Sequence, residues 1–191
     1  EKFISLISLI SILGVAIGVM ALIVVIAVMT GFDKDLHNKI IGNYSHLTIT
    51  GYKGINDNEY DNIRHKIASH PQVKGASPYV QGQVLIKTEN TFFVIDLKGI
   101  DPSTATQATK INEYLIAGRI DNLGGDGVIV GKELASYLGL GMNSNLQIYS
   151  PRGLVRNLKV AGLFYSGMYD YDMRLVFTNL KTAQDILGLN N

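Results

Sequence analysis

From Phe3 to Phe32 the chain carries thirty residues without one charged side chain. A helix rises ~1.5 Å per residue, so roughly 20 residues already cross a ~30 Å hydrocarbon layer. A secretion signal has an apolar core of roughly 7–15 residues and then a small-x-small cleavage site. This run is about twice that length, and Thr30-Gly31-Phe32-Asp33 follows where a cleavage site would stand. A soluble core helix this long needs a large protein around it. The run therefore reads as a transmembrane helix.

The helix is not uniformly bulky. Ser11, Gly14, Gly18 and Ala21 are spaced three, four and three apart, which sets them on one face. Small residues at such a seam let another helix approach closely, and Gly14–Gly18 fits the Gly-xxx-Gly pattern. Plain membrane composition, rich in glycine and alanine, is the alternative explanation. Met20, Leu22, Val25 and Met29 are apolar side chains, the methionines adaptable ones, that suit either a lipid-handling cavity or ordinary lipid contact. Beyond Phe32, apolar Phe32, Leu36 and Ile40 recur every four residues among Asp33, Lys34, Asp35 and Lys39. That is an amphipathic helical pattern, with Gly42-Asn43 as its stop. The helix is thus expected to leave the membrane as a continuous rod, roughly 58 Å long, ending near Ile41. Such a rod transmits displacement where a flexible linker would not. The charges flanking the run are too few and too balanced to orient it.

Residues 1–41 are accordingly expected to form a membrane helix with a stalk, and residues 42–191 a separate domain. Asp33–Asn191 holds 31 of the chain's 33 charged groups. Formal net charge is +1, which gives no electrostatic case for nucleic acid. The absence of cysteine excludes disulfides and thiolate metal sites.

In that domain Ser45–Gly51 alternates through Leu47 and Ile49 and predicts a strand. Asn56 and Glu59 form a capping-box pair for a helix over 57–69, with Tyr60, Ile63 and Ile67 apolar. Val80–Thr88 and Thr91–Gly99 predict two strands around a turn at Glu89-Asn90. Asp101-Pro102 breaks the chain, and Ser103–Thr109 is a loop or short helix. Gly124–Gly127 turns into a short buried strand, Val128–Val130, followed by a helix over Lys132–Leu138 that stops at Gly139. Leu146–Tyr149 and Leu154–Phe164 predict a hairpin, turning at Pro151-Arg152-Gly153. Arg174–Phe177 predicts a strand, and Thr178 or Asn179 caps a last helix reaching Leu187. The fold class is α+β: a transmembrane helix followed by a strand-rich domain.

Catalytic chemistry finds no footing. Asp126–Glu133, DGVIVGKE, imitates a phosphate loop, but Asp126 replaces its first glycine and Glu133 its hydroxyl residue. His37, His46, His65 and His70 make no metal-binding spacing. Asp170 and Asp172 have no third ligand nearby and read as a solvated or capped turn. No nucleophile elbow or triad is present, so the chain is expected to do no covalent chemistry.

Three segments in order resemble one family: FISLISLISILGVAIGVMALIVVIAVMTGF, GVIVGKELASYLGL and VAGLFYSGMYDYDMRLVFTNLKTAQDILGL. They are similar to the first span and extracytoplasmic domain of the LolC/LolE permeases of the lipoprotein-releasing ABC transporter, which are related more widely to MacB-type permeases. The third segment is the most specific, with Ser166-Gly167, then Tyr169-Asp170-Tyr171-Asp172, then a helix holding Ala183-Gln184 and Leu187-Gly188. The resemblance covers nearly all of Phe3–Leu189.

It implies a multi-pass permease of the bacterial inner membrane, with residues 42–191 in the periplasm as a porter-like α/β part and an inserted β-rich, sabre-like part. It implies pairing with a second permease, in a homo- or heterodimer, on cytoplasmic ABC ATPase subunits that bind ATP and Mg in place of this chain, which needs no cofactor of its own. The implied cargo is a triacylated lipoprotein drawn from membrane lipid and handed to a periplasmic carrier. In the LolC branch a hairpin hook engages the carrier. The matching turn here is Ser150–Arg156, with Pro151, Arg152, Gly153 and Arg156 as candidate contacts, and it is short for a hook. The chain ends before a second porter half and three further spans, so it is expected to be part of a longer protein. LolC-like, LolE-like and self-pairing permeases remain open, as do MacB-like efflux, an FtsX-like regulatory permease and a single-pass anchored binding module.

Overall fold

The structure, a computed structural model, describes residues 2–43, 45, 47–51, 54–88 and 92–189. The chain divides into two units, Glu1–Ile41 and Gly42–Asn191. The first is one uninterrupted helix, α1, Lys2–Asn43. Its backbone runs through the amphipathic stretch without a break. The side chains of Leu36, His37, Lys39 and Ile40, like His46 and the expected turn at Glu89-Asn90, lie outside the described residues.

The second unit begins with α2, Asp57–Ala68. The Asn56 side chain accepts from the Glu59 amide at 2.9 Å and Glu59 reaches back to the Asn56 amide at 3.3 Å, so two otherwise orphaned donors are satisfied. Strands β1, Tyr79–Lys87, and β2, Phe92–Ile100, pair antiparallel along their whole length. Then come α3, Pro102–Ala108, α4, Ile111–Tyr114, β3, Leu115–Gly118, and a 3-10 turn, Ile120–Leu123. Asp101 caps α3, accepting from the Ser103 amide at 3.0 Å and its hydroxyl at 2.7 Å. The remaining elements are β4, Gly127–Gly131, α5, Lys132–Leu138, β5, Asn145–Tyr149, β6, Val155–Phe164, α6, Tyr169–Arg174, β7, Leu175–Asn179, and α7, Leu180–Leu187.

The sheet order is β3-β6-β4-β7-β2-β1-β5, and β5 pairs again with β6. The first half of β6 pairs with β5 and its second half with β4 and β3. Six strands therefore close into a ring of ladders, with β3 hung outside it. Strands β2 and β7, and β4 and β6, run parallel. β4 is buried at every position, so the GVIVG run reads as a continuous apolar strand without alternation. Its Val128 and Val130 enter one core with Leu97, Leu158, Ala183 and Ile186, while Ile129 enters a second with Leu123, Phe164 and Phe177.

One expectation fails here and another is met only in part. Leu47–Gly51 joins no strand among the described residues, and Leu47 stays 87% exposed. Its apolar alternation shows that one face suits burial; it does not supply a neighbouring strand to pair with. The YDYD segment, expected as a solvated or capped turn, keeps the capping by Asp172 but is helical and places that residue in the interior. It folds into α6, and Asp172 is completely buried. Its carboxylate accepts from the Ser166 amide at 2.9 Å, the Ser166 hydroxyl at 2.7 Å and the Gly167 amide at 3.3 Å. The same residue explains Gly131: a Cβ there would run into the Asp172 carbonyl, so β4 must end in a bare backbone. Asp170, by contrast, is exposed.

Asp172→Ala takes the acceptor from the buried Ser166 amide and hydroxyl and from the half-buried Gly167 amide, and hydrogen bonds to a charged group contribute about 1.5–3 kcal/mol each. Urea unfolding of the domain is expected to show a loss of about 3 kcal/mol or more. At Asp101 the hydrogen bond from the Ser103 side chain, ahead of the other causes, holds the carboxyl below its usual range. A depressed folded value means that this cap stabilises the fold above the unfolded carboxylate pKa of ~3.9 and is lost as pH falls through the folded value. Asp101→Asn is expected to flatten the stability-versus-pH curve below that point, as read by thermal melting.

Candidate functional site

Helix α1 carries no charged side chain from Phe3 to Phe32, and its apolar side chains there are exposed. The seam of Ser11, Gly14, Gly18 and Ala21 is bare: a Cβ added at Gly14 or Gly18 would meet nothing within 4 Å. Successive helical residues turn by about 100°, which sorts the other candidates. Leu22, Val25 and Met29 fall in the same roughly 100° sector as the seam, whereas Met20 lies diametrically opposite Ser11. All four are exposed. Packing candidates and cavity candidates thus share one face, with small residues toward the N-terminus and larger apolar ones toward the C-terminus, and Met20 stands apart.

The hairpin of β5 and β6 forms the second candidate. Its turn closes through Gly153 N–H to Ser150 carbonyl at 2.9 Å and Ser150 N–H to Leu154 carbonyl at 2.8 Å. Gly153 has φ +80°, a conformation that an L side chain rarely adopts. The turn does not protrude freely. The buried Ser150 donates its hydroxyl to the Ile186 carbonyl in α7 and accepts from the Arg152 amide at 3.2 Å. The Arg152 guanidinium lies against Gly188, the left-handed residue that ends α7. There its charge faces the negative end of the helix dipole. Arg156 reaches Asp126 and Asp185, each at 3.9 Å. These are half-exposed pairs of long geometry, each contributing roughly 0–1 kcal/mol.

Both candidate arginines are thus engaged within the domain, on two sides of one clamp. Pro151 and Gly153 are exposed at the tip. Two further residues there escaped sequence reasoning: Leu154 and Val155, 56% and 50% exposed. The signal available was an apolar pair directly after a Pro-x-Gly turn, where polar residues are the rule. Val155 pairs with Tyr149 in register, Tyr149 with Leu85 and Leu85 with Val94. Phe92 packs its ring edge on Tyr149 at 5.6 Å. An apolar line therefore crosses the outer face of four strands and ends at the hairpin tip.

Among the described residues neither DGVIVGKE nor His65 and His70 are gathered into a chemical site. Gly127–Gly131 and Lys132–Leu138 are an ordinary buried strand and helix, with Asp126 turned to Arg156. His65 and His70 are exposed, and no cluster of three or more His, Cys, Asp or Glu occurs among the described residues.

Residues 8–190 match the family model of the MacB-like periplasmic core domain. The lipoprotein-releasing system transmembrane protein LolC of Xylella fastidiosa strain Temecula1 is 31% identical over 199 residues, covering 98% of this chain and 48% of that protein. The transmembrane protein LolE of the same system in Haemophilus influenzae is 26% identical over 118 residues, 60% of this chain and 28% of that protein. Among solved structures, the extracellular domain of the noncanonic ABC-type transporter YknZ from Gram-positive bacteria superimposes with TM-score 0.48 at 15% identity, over 67% of this chain and 66% of that one. The chain spans about half the length of the LolC relative.

Gly188→Ala forces a side chain into the left-handed region and into Arg152. The left-handed conformation alone costs roughly 1–2 kcal/mol. Hydrogen exchange is expected to rise together at 150–156 and 186–189, because one clamp holds both.

Proposed function

The chain belongs to the MacB-like periplasmic core domain family, and from that premise we propose that it is the first span and extracytoplasmic domain of a lipoprotein-releasing ABC permease. The supporting observation is the similarity to LolC along 98% of the chain, helix and domain alike. In this reading the protein sits in the bacterial inner membrane with residues 42–191 in the periplasm. A second permease packs on the seam at Ser11, Gly14, Gly18 and Ala21. Cytoplasmic ATPase subunits bind ATP and Mg and do the hydrolysis, since DGVIVGKE has neither the glycine nor the hydroxyl that a phosphate loop needs.

The mechanical logic follows from α1. A helix continuous from Lys2 to Asn43 carries a displacement past the membrane surface without a flexible joint. Acyl chains of a triacylated lipoprotein need an apolar surface during extraction. Val25 and Met29, on the seam's own face, offer one when the paired helices part; methionine adapts to varied chain shapes. The hairpin tip then meets the periplasmic carrier. Arg152 and Arg156 set the tip's position through α7, and Leu154 and Val155 present its apolar surface.

The deciding experiment is purification of the full-length complex from the membrane, followed by mass spectrometry. Bound triacylated lipoprotein is expected; its absence, with an efflux adaptor co-purifying instead, overturns the reading in favour of MacB-like export. Replacing both Gly14 and Gly18 by Leu is expected to reduce recovery of the second permease about tenfold, ~1.4 kcal/mol, while leaving the chain membrane-inserted. The double variant Arg152→Ala/Arg156→Ala is expected to weaken carrier capture with the complex still assembled; undiminished capture removes both arginines from the account.

A further inference from the structure

A cleft of about 220 Å³ opens beside β1, β2 and α6, away from the hairpin turn. Asp96 and Lys98 line it from β2, Gln81 from β1 directly across the ladder from Lys98, and Asp170 and Arg174 from α6. Two cations and two carboxylates share this small volume, yet none of the four forms an ion pair with any described residue. Asp96 and Lys98 are alternate residues of one strand, their Cα atoms roughly 6.6 Å apart on the same face of a full-length ladder.

Lys98 is the informative member. It is half-buried, and burial holds its pKa below the ordinary lysine range. A desolvated ammonium normally finds a counter-charge. Here it lies 4.8 Å from the centre of the Tyr79 ring, a cation–π contact that stabilises the charge without neutralising it. The lining sums to zero charge: Asp96 and Lys98 are half-buried at its floor, while Asp170 and Arg174 stand exposed at its rim. A bare dianion would be repelled by Asp96 and Asp170, and a bare cation by Lys98 and Arg174. The complement is a ligand that is neutral overall and charge-separated.

We propose that this cleft binds a zwitterion of headgroup size, with its phosphate or carboxylate facing Lys98, Arg174 and the Gln81 amide, and its ammonium facing Asp96 and Asp170. The volume agrees: it is below the ~300–1,000 Å³ of pockets for drug-sized ligands, as a headgroup-sized ligand requires. The assignment stands on this domain's own geometry and does not depend on the transport reading.

The test titrates the full chain in detergent micelles with glycerophosphoethanolamine, inorganic phosphate and ethanolamine, followed by calorimetry. Saturable binding of the zwitterion is expected, with phosphate and ethanolamine each weaker by about tenfold or more. Lys98→Met and Asp96→Asn are each expected to weaken zwitterion binding about tenfold. Lys98→Met should melt no lower than the parent, since it keeps the stem and removes a desolvated charge, so its loss of binding is not a loss of fold. Adding phosphatidylethanolamine nanodiscs distinguishes the source: suppression of the titration, absent with phosphatidylglycerol nanodiscs, identifies a lipid headgroup, and unchanged titration with both identifies a free zwitterion. No saturable binding by the parent, equal binding of inorganic phosphate, or full binding by both variants overturns the proposal. With no ATPase or carrier present, that failure leaves the transport reading untouched.

Discussion

Helix α7 is held at both ends by side chains that belong to other parts of the domain, and the rest of the architecture converges on it. At its start the Asn179 carbonyl accepts from the Thr182 amide at 2.8 Å while its amide donates to the Leu123 and Gly125 carbonyls at 2.9 and 2.7 Å. One asparagine thus caps the helix and fixes the turn that launches β4. The Thr182 hydroxyl adds a second bond to Gly125 at 2.8 Å. At the far end Ser150, Arg152 and Arg156 bring the hairpin onto Ile186, Gly188 and Asp185. Between them Ala183 and Ile186 enter the larger core. An eight-residue helix is marginal alone; tertiary packing and caps make this one the keystone between β4 and the hairpin.

Much of this was legible because the signals are local. The Asn56–Glu59 box, the Gly139 stop, the Pro-Arg-Gly turn and Asn179 as a cap each act within four residues, and each took the role its chemistry suggests. The membrane helix was legible by length alone. What stayed hidden acts at a distance. Asp172 looked like a surface acid because the donors that satisfy it, at Ser166 and Gly167, meet it only once α6 folds back. Gly131 looked like an ordinary strand end; its requirement comes from the Asp172 backbone, forty-one positions later. β3 was missed because four residues with a bulge in their pairing give no periodicity to read.

The candidate sites divide the same way. The small-residue face of α1 is a matter of spacing, and the helix preserves it. That Val25 and Met29 continue this face while Met20 does not follows from helical geometry once the helix is known to be unbroken. The arginines of the hairpin illustrate the opposite case. Basic residues at a turn suggest an outward contact, but their carboxylate and helix-end partners lie thirty residues away in either direction, so only the fold reveals that they serve as a clamp.

Strand β6 belongs to three ladders along its length, with β5 toward one end and with β4 and β3 toward the other. Ten residues of strand extend roughly 33 Å. One end carries the exposed tip and the other lies between β4 and β3, sealed by Phe164 in the smaller core. A load at the tip along this axis acts on both sets of backbone hydrogen bonds in shear, so they share it and do not open one after another like a zipper. The domain is therefore built less like a cushion than like a tie-rod: what is done to Leu154 is felt, with little loss, at the far side of the sheet.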